Sequence, residues 1–397
     1  MLVNLKVLSD VITKGTTPSN IGAEFTDSGI MYFRSELVGK SKYIDKSEGL
    51  LYISKETHNK LKRSQLEKDD ILFSMAGAYL GKISIVGDED IPSNTNQAVA
   101  LIRLKDKTLV DYIYYYMKQE WFNDYVHSFN AQAAQPNINL EQIGKLKIFL
   151  PREKGKAIKV ASILSKYDEL IEVNNKRIKI LEQTAEELYK EWFVRFRFPG
   201  HETTQFENGI PKGWIFGENI YSQKPKNWYY GKLSELGSFV RGKNITSDKM
   251  IYGDIPVISA GIEPSGYHNE SNVKGASLTI SASGANAGYL KYNLSDIWAA
   301  DCSFYQNDNN IWFVYSSLVF INKVLSNLQV GAAQPHVYPK HINRLSVIIP
   351  EERYIKKYNE IAETIFAEIK SIKQQNENLI KQRDLLLPRL MNGKLEV

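Results

Sequence analysis

From Val160 an apolar seam advances in alternating steps of four and three residues through Leu164, Tyr167, Ile171, Asn174, Ile178, Leu181, Ala185, Leu188 and Trp192. A seam sustained at a period near 3.5, with Lys and Glu on its flanks, predicts a long helix paired with a second long helix. That second seam closes the chain at Ile355, Tyr358, Ala362, Ile365, Ile369, Ile372, Asn376, Leu379, Arg383, Leu386 and Leu390. At about 1.5 Å per residue the first helix spans roughly 50 Å. The residues expected to pair the helices are Leu164, Ile171, Asn174, Ile178, Leu181, Ile365, Ile372, Asn376 and Leu379.

Ahead of the first long helix the pattern changes period. Short apolar runs bounded by turn residues predict strands at Gly29 to Phe33, Asp70 to Ser74, Lys82 to Val86, Ala98 to Leu104 and Leu146 to Leu150. The aromatic stretch from Leu109 to Val126 predicts one helix. After the first long helix, an aromatic and Pro-punctuated linker carries two copies of a short motif, Pro211-Lys212-Gly213-Trp214 and Pro225-Lys226-Asn227-Trp228. A Trp this close to a Pro is read as an anchor that pins a loop to a domain surface.

The first block then starts again. Leu5, Leu8, Val11 and Gly15 have counterparts in Leu233, Leu236, Phe239 and Gly242, and Ser74-Met75-Ala76-Gly77 with Gly81 matches Ser281-Ala282-Ser283-Gly284 with Gly288. Ala133-Ala134-Gln135-Pro136 matches Ala332-Ala333-Gln334-Pro335, and the correspondence continues through the helices, where Leu188 matches Leu387. The chain is a tandem duplication of one unit, a globular block followed by a long helix. The expected fold is α+β: two mixed α/β domains in tandem, separated by two long helices that form an antiparallel coiled coil with internal pseudo-twofold symmetry. The expected divisions are a first block over 1–155, a central helix over 156–194, a linker over 195–232, a second block over 233–352 and a C-terminal helix over 353–397. Antiparallel pairing would bring Asn174 and Asn376 together and fix the register.

Composition narrows the class. A chain of 397 residues with 43% apolar and 24% charged residues is an ordinary globular protein of more than one domain. Cys302 is the single cysteine, so no internal disulfide forms, and a reducing, cytoplasmic home is expected. No signal peptide or membrane span is apparent. The net charge of +5 is spread so evenly that no block carries an excess above two. A nucleic-acid surface therefore has to come from spatial clustering of charge.

No catalytic or metal-binding motif stands out in the sequence. Gly77-Ala78-Tyr79-Leu80-Gly81-Lys82-Ile83 is one residue short of a phosphate loop and has Ile where Ser or Thr would hold Mg²⁺. Glu368-Ile369-Lys370, the sole Glu-x-Lys, sits within the second seam, and His336 and His341 have no Cys or carboxylate partners nearby in sequence. The chain is expected to carry no catalytic residue, no metal and no cofactor of its own.

The motifs do carry a family resemblance. Tyr189-Lys190-Glu191-Trp192-Phe193-Val194 ends the first helix, and Gly209-Ile210-Pro211-Lys212-Gly213-Trp214 opens the second half. Together with the two Gln-Pro turns, and with Leu386-Leu387-Pro388-Arg389-Leu390 followed by Gly393, they resemble the specificity (S) subunits of type I restriction-modification systems. The resemblance spans the whole chain. It departs in the second Pro-Lys-x-Trp copy, which blurs where the second block begins.

The resemblance implies that each block is a target recognition domain reading one half of a bipartite, asymmetric site in double-stranded DNA. The helices then space the blocks and dock two methyltransferase subunits for N6-adenine methylation and, through them, restriction subunits. S-adenosylmethionine, ATP and Mg belong to those partners, and an Asn/Asp-Pro-Pro-Tyr/Phe methyltransferase motif is absent because the chain has no Pro-Pro. DNA-facing candidates in the first block are Lys14, Thr16, Thr17, Arg34, Ser74, Tyr79, Lys82, Asn94 and Gln97. In the second they are Arg241, Lys243, Asn244, Ser281, Ser283, Asn286, Tyr289 and Lys291, grouped near glycine turns at matched points of the repeat. Exposed apolar ends of the helices, Tyr189, Trp192, Phe193, Leu386, Leu387 and Leu390, are the expected partner-docking residues. The alternative is a coiled-coil adaptor whose two domains bind protein.

Overall fold

The computed structural model describes residues 1–46, 49–129, 136–209, 223–326, 328 and 335–395. Gln135, Gln334 and the Pro211 to Trp214 motif lie outside the described residues. The chain divides into two compact units, Met1–Val173 with Asn376–Val397, and Asn174–Gln375. Each unit therefore holds one block and half of each long helix, where the sequence suggested divisions at the helix ends.

In the first unit the strands are β1 (Leu2–Asn4), β2 (Ser9–Lys14), β3 (Ile30–Phe33), β4 (Leu51–Ile53), β5 (Ile71–Ser74), β6 (Ile83–Ile85), β7 (Ser93–Thr95), β8 (Val99–Leu104) and β9 (Lys147–Phe149). They form a four-stranded sheet of order β2-β8-β5-β6, a three-stranded sheet of order β4-β3-β7, and the pair β1-β9. A linker hairpin, β10 (Phe206–Asn208) with β11 (Gln223–Pro225), precedes the second block. That block has β12 (Tyr229–Lys232), β13 (Val240–Arg241), β14 (Ile255–Ile258), β15 (Gly266–His268), β16 (Ser277–Ser281), β17 (Leu290–Asn293), β18 (Trp298–Ala299), β19 (Cys302–Tyr305) and β20 (Ser346–Ile349). Its sheets run β13-β19-β16-β17, β15-β14-β18 and β12-β20, so every pairing of the first block recurs with strands in the same order. Even the parallel pair recurs, β3 with β7 and β14 with β18.

The helix expected over Leu109 to Val126 is in fact two, Val110–Met117 and Glu120–Ser128. The break at Gln119, in extended conformation, lets Phe122 and Val126 turn back into the core beside Tyr112 and Tyr116. The long helices run over Lys154–Tyr189, continued by one π turn over Lys190–Val194, and over Glu352–Met391. Every position of both predicted seams is buried or half-buried. Within the second unit Arg177 pairs with Glu368, and the Tyr358 hydroxyl donates to the Ala185 carbonyl at 2.9 Å. As one helix rises the other descends, so the pair is antiparallel there. In the first unit Asp168 meets Arg383, while Leu164 shares a core with Leu387 and Leu390, which is the same sense. Asn174 and Asn376 are both buried, and one belongs to each unit.

The helix ends differ from expectation. Trp192 is 6% exposed, Phe193 2%, Tyr189 3%, Leu387 6% and Leu390 5%, with Leu386 half-buried. Phe193 packs edge-on against Phe313 at 4.8 Å, and the linker returns Phe198 and Trp228, stacked at 4.6 Å, onto the same aromatic core. Apolar area on this scale leaves water by packing on the chain's own block, so five of these six side chains are core and Leu386 packs half-buried against it.

Candidate nucleic-acid interface

Strand register gathers the candidate loops. In the first block Lys14 lies opposite Ala100, Ser74 opposite Val99, and Phe73 opposite Ile83. The segment after β2, the β7-to-β8 turn and the β5-to-β6 turn therefore share one end of the four-stranded sheet. In the second block Arg241 lies opposite Ser303, Ser281 opposite Cys302, and Ile280 opposite Leu290, which assembles the equivalent end.

Two glycines make this end possible. A Cβ on Gly15 would lie 2.0 Å from the Thr95 carbonyl oxygen, and one on Gly242 would lie 2.5 Å from those of Ala299 and Ala300. Only a residue without a side chain lets the segment cross there, which is why the repeat keeps glycine at both places. Beyond it, the Gly77 amide donates to the Pro136 carbonyl at 3.1 Å, and the Gly284 amide to Pro335 at 3.2 Å. The described half of each Gln-Pro turn is thus a joint that ties the glycine turn to the following segment.

Side chains on the first sheet end form a polar cluster. The Thr17 hydroxyl donates to the Gln97 amide oxygen, and Arg63 donates to the Thr16 hydroxyl at 3.0 Å. Arg34 pairs with Glu36 at 2.7 Å, one residue beyond β3. Lys82 is exposed, Tyr79 is 40% exposed, and neither Lys14 nor Lys82 makes an ion pair among the described residues. Beneath them Tyr32 donates to the Thr16 carbonyl at 3.1 Å, and burial pushes its hydroxyl up to about 12. Arg63 was not foreseen from sequence; it has no counterpart in the second block and sits in a short 3-10 turn.

On the second sheet end Arg241 pairs with Asp301, whose other oxygen accepts from the Ser283 hydroxyl. Lys243 and Asn244 are exposed, and the Lys243 carbonyl is held by the Trp298 indole N–H at 2.8 Å. Tyr289 is 38% exposed and Asn286 half-buried, both in the turn after Gly284. Lys291 reaches the Ile262 carbonyl at 3.0 Å.

Three of the expected DNA-facing residues, Asn94, Ser74 and Ser281, are buried and do not face solvent. Asn94 is fully buried, its amide donating to the Leu61 carbonyl at 3.1 Å and to Ser64 at 2.9 Å while its oxygen bonds His58. Ser74 is fully buried at the end of β5, and Ser281, 4% exposed, donates to the Ala260 carbonyl at 2.9 Å. Small polar residues near turns satisfied the sequence criterion, yet Asn94 and Ser281 hold neighbouring segments together through their side chains, and the Ser74 hydroxyl is buried without a hydrogen-bond partner among the described residues.

A second polar feature was missed. Lys42, 3% exposed, bridges Asp111 at 2.8 Å and Ser165 at 3.0 Å. Nearby, Tyr115 donates to Asp168, which also holds Arg383. This network ties the block to both long helices within the first unit. In the second unit the corresponding seat uses Trp312 on Glu363, and Ser316 with Tyr358 at 2.7 Å. Among the described residues no group of three His, Cys, Asp or Glu side chains is placed to hold a metal ion, and no helix is long and apolar enough to cross a membrane.

Two units of one fold, each with its own loop-bearing sheet end and its own parts of two antiparallel helices, define a tandem-repeat protein of two mixed α/β domains. The chain matches the family described as the type I restriction modification DNA specificity domain over residues 3–183 and 225–382, and it belongs to that family. It is 24% identical to the type I restriction enzyme MjaIX specificity subunit of Methanocaldococcus jannaschii, over 99% of this chain and 94% of that protein. To the putative MjaX specificity subunit of the same organism it is 25% identical, over 99% and 92%. A crystal structure of a type I restriction-modification S subunit from M. genitalium shares the fold, with a TM-score of 0.53 at 18% identity, covering 98% of this chain and 95% of that one.

Proposed function

We propose that this specificity subunit reads double-stranded DNA through the two sheet ends, one half of a bipartite, asymmetric site per block. The observation that carries the reading is that two backbones of matching topology present different side chains at equivalent places. A common scaffold fixes how a loop approaches a groove, and the side chains decide which base edges it accepts. The antiparallel helices act as spacer. They also carry two methyltransferase subunits for N6-adenine methylation and, through those, restriction subunits. S-adenosylmethionine, ATP and Mg act on the partners. Since the helix ends are core, docking falls to the exposed flanks of the helices, where Leu170 and Val173 in the first unit and Ile180 in the second stand free of the seams.

Mapping modified adenines in genomes with and without this chain, in cells supplying the methyltransferase, tests the proposal. A two-part motif with an unspecified spacer is expected only when the chain is present. An unchanged adenine pattern, with no salt-sensitive DNA binding by the assembled complex, overturns it.

A further inference from the structure

The backbone hydrogen bonds align the two sheet ends residue by residue. Gly15 donates to the Val99 carbonyl at 3.2 Å as Gly242 does to Cys302 at 2.9 Å, and Met75 donates to Ala98 at 2.8 Å as Ala282 does to Asp301 at 3.4 Å. Arg241 therefore occupies the place of Lys14, Asp301 that of Ala98, and Ser283 that of Ala76. The backbone is the same and the chemistry is not. The first end has a cation with no ion pair among the described residues above two alanines. The second has a hydrogen-bonded chain of Ser283, Asp301 and Arg241, with side-chain exposures of 24% for Asp301 and 43% for Arg241.

A carboxylate on a surface that meets phosphates is repelled by them, so Asp301 does not serve affinity. Nor does Arg241 serve it well, since its charge is already neutralised by the pair. An exposed ion pair also stabilises a fold by only about 0–1 kcal/mol. What the chain of three does supply is direction. Ser283 orients the carboxylate, and the carboxylate orients a guanidinium whose remaining N–H groups form a planar fork at the rim of the sheet end.

We infer that Arg241 is a specificity-determining residue of the second block that reads a guanine through O6 and N7, with Asp301 and Ser283 as its positioning residues. The inference rests on the DNA-reading function proposed above. Alanine at both equivalent places of the first block offers contact to a thymine methyl and no fork, so no guanine is required by that position there.

The test uses the full chain assembled with its methyltransferase subunits and reads the methylated-site pattern of Arg241→Ala, Arg241→Lys, Ser283→Ala and Lys243→Ala variants. Arg241→Ala is expected to relax one guanine position in one half-site by about 5- to 150-fold, the range of a lost bidentate contact, while the other half-site stays unchanged. Arg241→Lys, which keeps the charge without the fork, is expected to relax the same position, and Ser283→Ala to relax it partially. Lys243→Ala is expected to weaken binding to all sequences alike and to reduce the salt slope by about one, whereas Arg241→Ala leaves that slope nearly unchanged. Unaltered selectivity at every position in Arg241→Ala and Arg241→Lys overturns the inference, as does uniform loss with a reduced salt slope. If Arg241→Ala fails to fold, as its melting curve would show, Arg241→Lys and Ser283→Ala decide the matter. Failure of the unaltered complex to show any two-part motif would refute the DNA-reading function itself, a result distinct from either.

Discussion

Arg383 on the second long helix donates to Asp168 on the first, and both side chains are nearly buried, at 10% and 6% exposure. Tyr115 of the first block donates to the other carboxylate oxygen. One carboxylate thus ties block, first helix and second helix together within the first unit. Removing Arg383 leaves a buried charge without its counter-ion, which costs about 3–5 kcal/mol, while removing both members together is far milder. Arg383→Met is therefore expected to shift the urea midpoint sharply and Asp168→Asn with Arg383→Met to recover much of the loss. A single substitution within about 1 kcal/mol of the parent would show that the pair does not fasten this seat.

Trp192 gives a prediction in which two readings diverge. As a core residue packed with Phe193 and Tyr358, its truncation to alanine costs about 3–5 kcal/mol. A docking residue would instead weaken partner capture and leave the isolated chain as stable as before. Thermal unfolding of the purified Trp192→Ala chain separates the two, with a lowered midpoint expected.

The same residue shows what the sequence makes legible. A period of 3.5 identifies every buried seam position, because nothing but a facing helix rewards that spacing over thirty residues. The repeat reveals the two blocks, and its matched glycines mark the two sheet ends. The seam runs as far as Trp192, but what covers that helix end is invisible to both signals, since Phe198 and Trp228 come from a linker with no periodicity. Asp168 lies one step off the seam, where a carboxylate looks like any solvated flank, and Lys42 sits in a loop 123 residues from Ser165. Nothing local announces such partners. Asn94 and Ser281 carry the composition of turns while holding strands, so the residue type pointed outward and the tertiary hydrogen bonds point inward.

Cys302 supplies a chemical test of the second block. The thiol is fully buried at the start of β19, and burial pushes it up to about 12, above its ordinary value near 9. A folded value raised above the unfolded one means that the neutral form is favoured by folding. This contribution to stability is fully present below pH 9 and is lost as pH climbs toward 12. At pH 8.5 the native chain is expected to resist iodoacetamide while the urea-unfolded chain is alkylated readily. Equal labelling rates would place Cys302 outside the core.

Helix length offers the remaining prediction. Because the helices pair antiparallel in each unit, lengthening one alone shifts its seam against the other and breaks the pairing. Seven residues inserted after Asn174, matched by seven after Gln375, preserve the 3.5 period in both. Each insertion lengthens its helix by about 10.5 Å, equivalent to about three base pairs at 3.4 Å each. If the helices are the spacer, the complex carrying both insertions is expected to methylate a site whose two halves are unchanged and whose gap has grown by about three base pairs. The chain with one insertion serves as the control, with folding and methylation both lost. A doubly lengthened chain that keeps the original gap, or that changes the half-sites themselves, would mean that the distance between the halves is set elsewhere than in the helices.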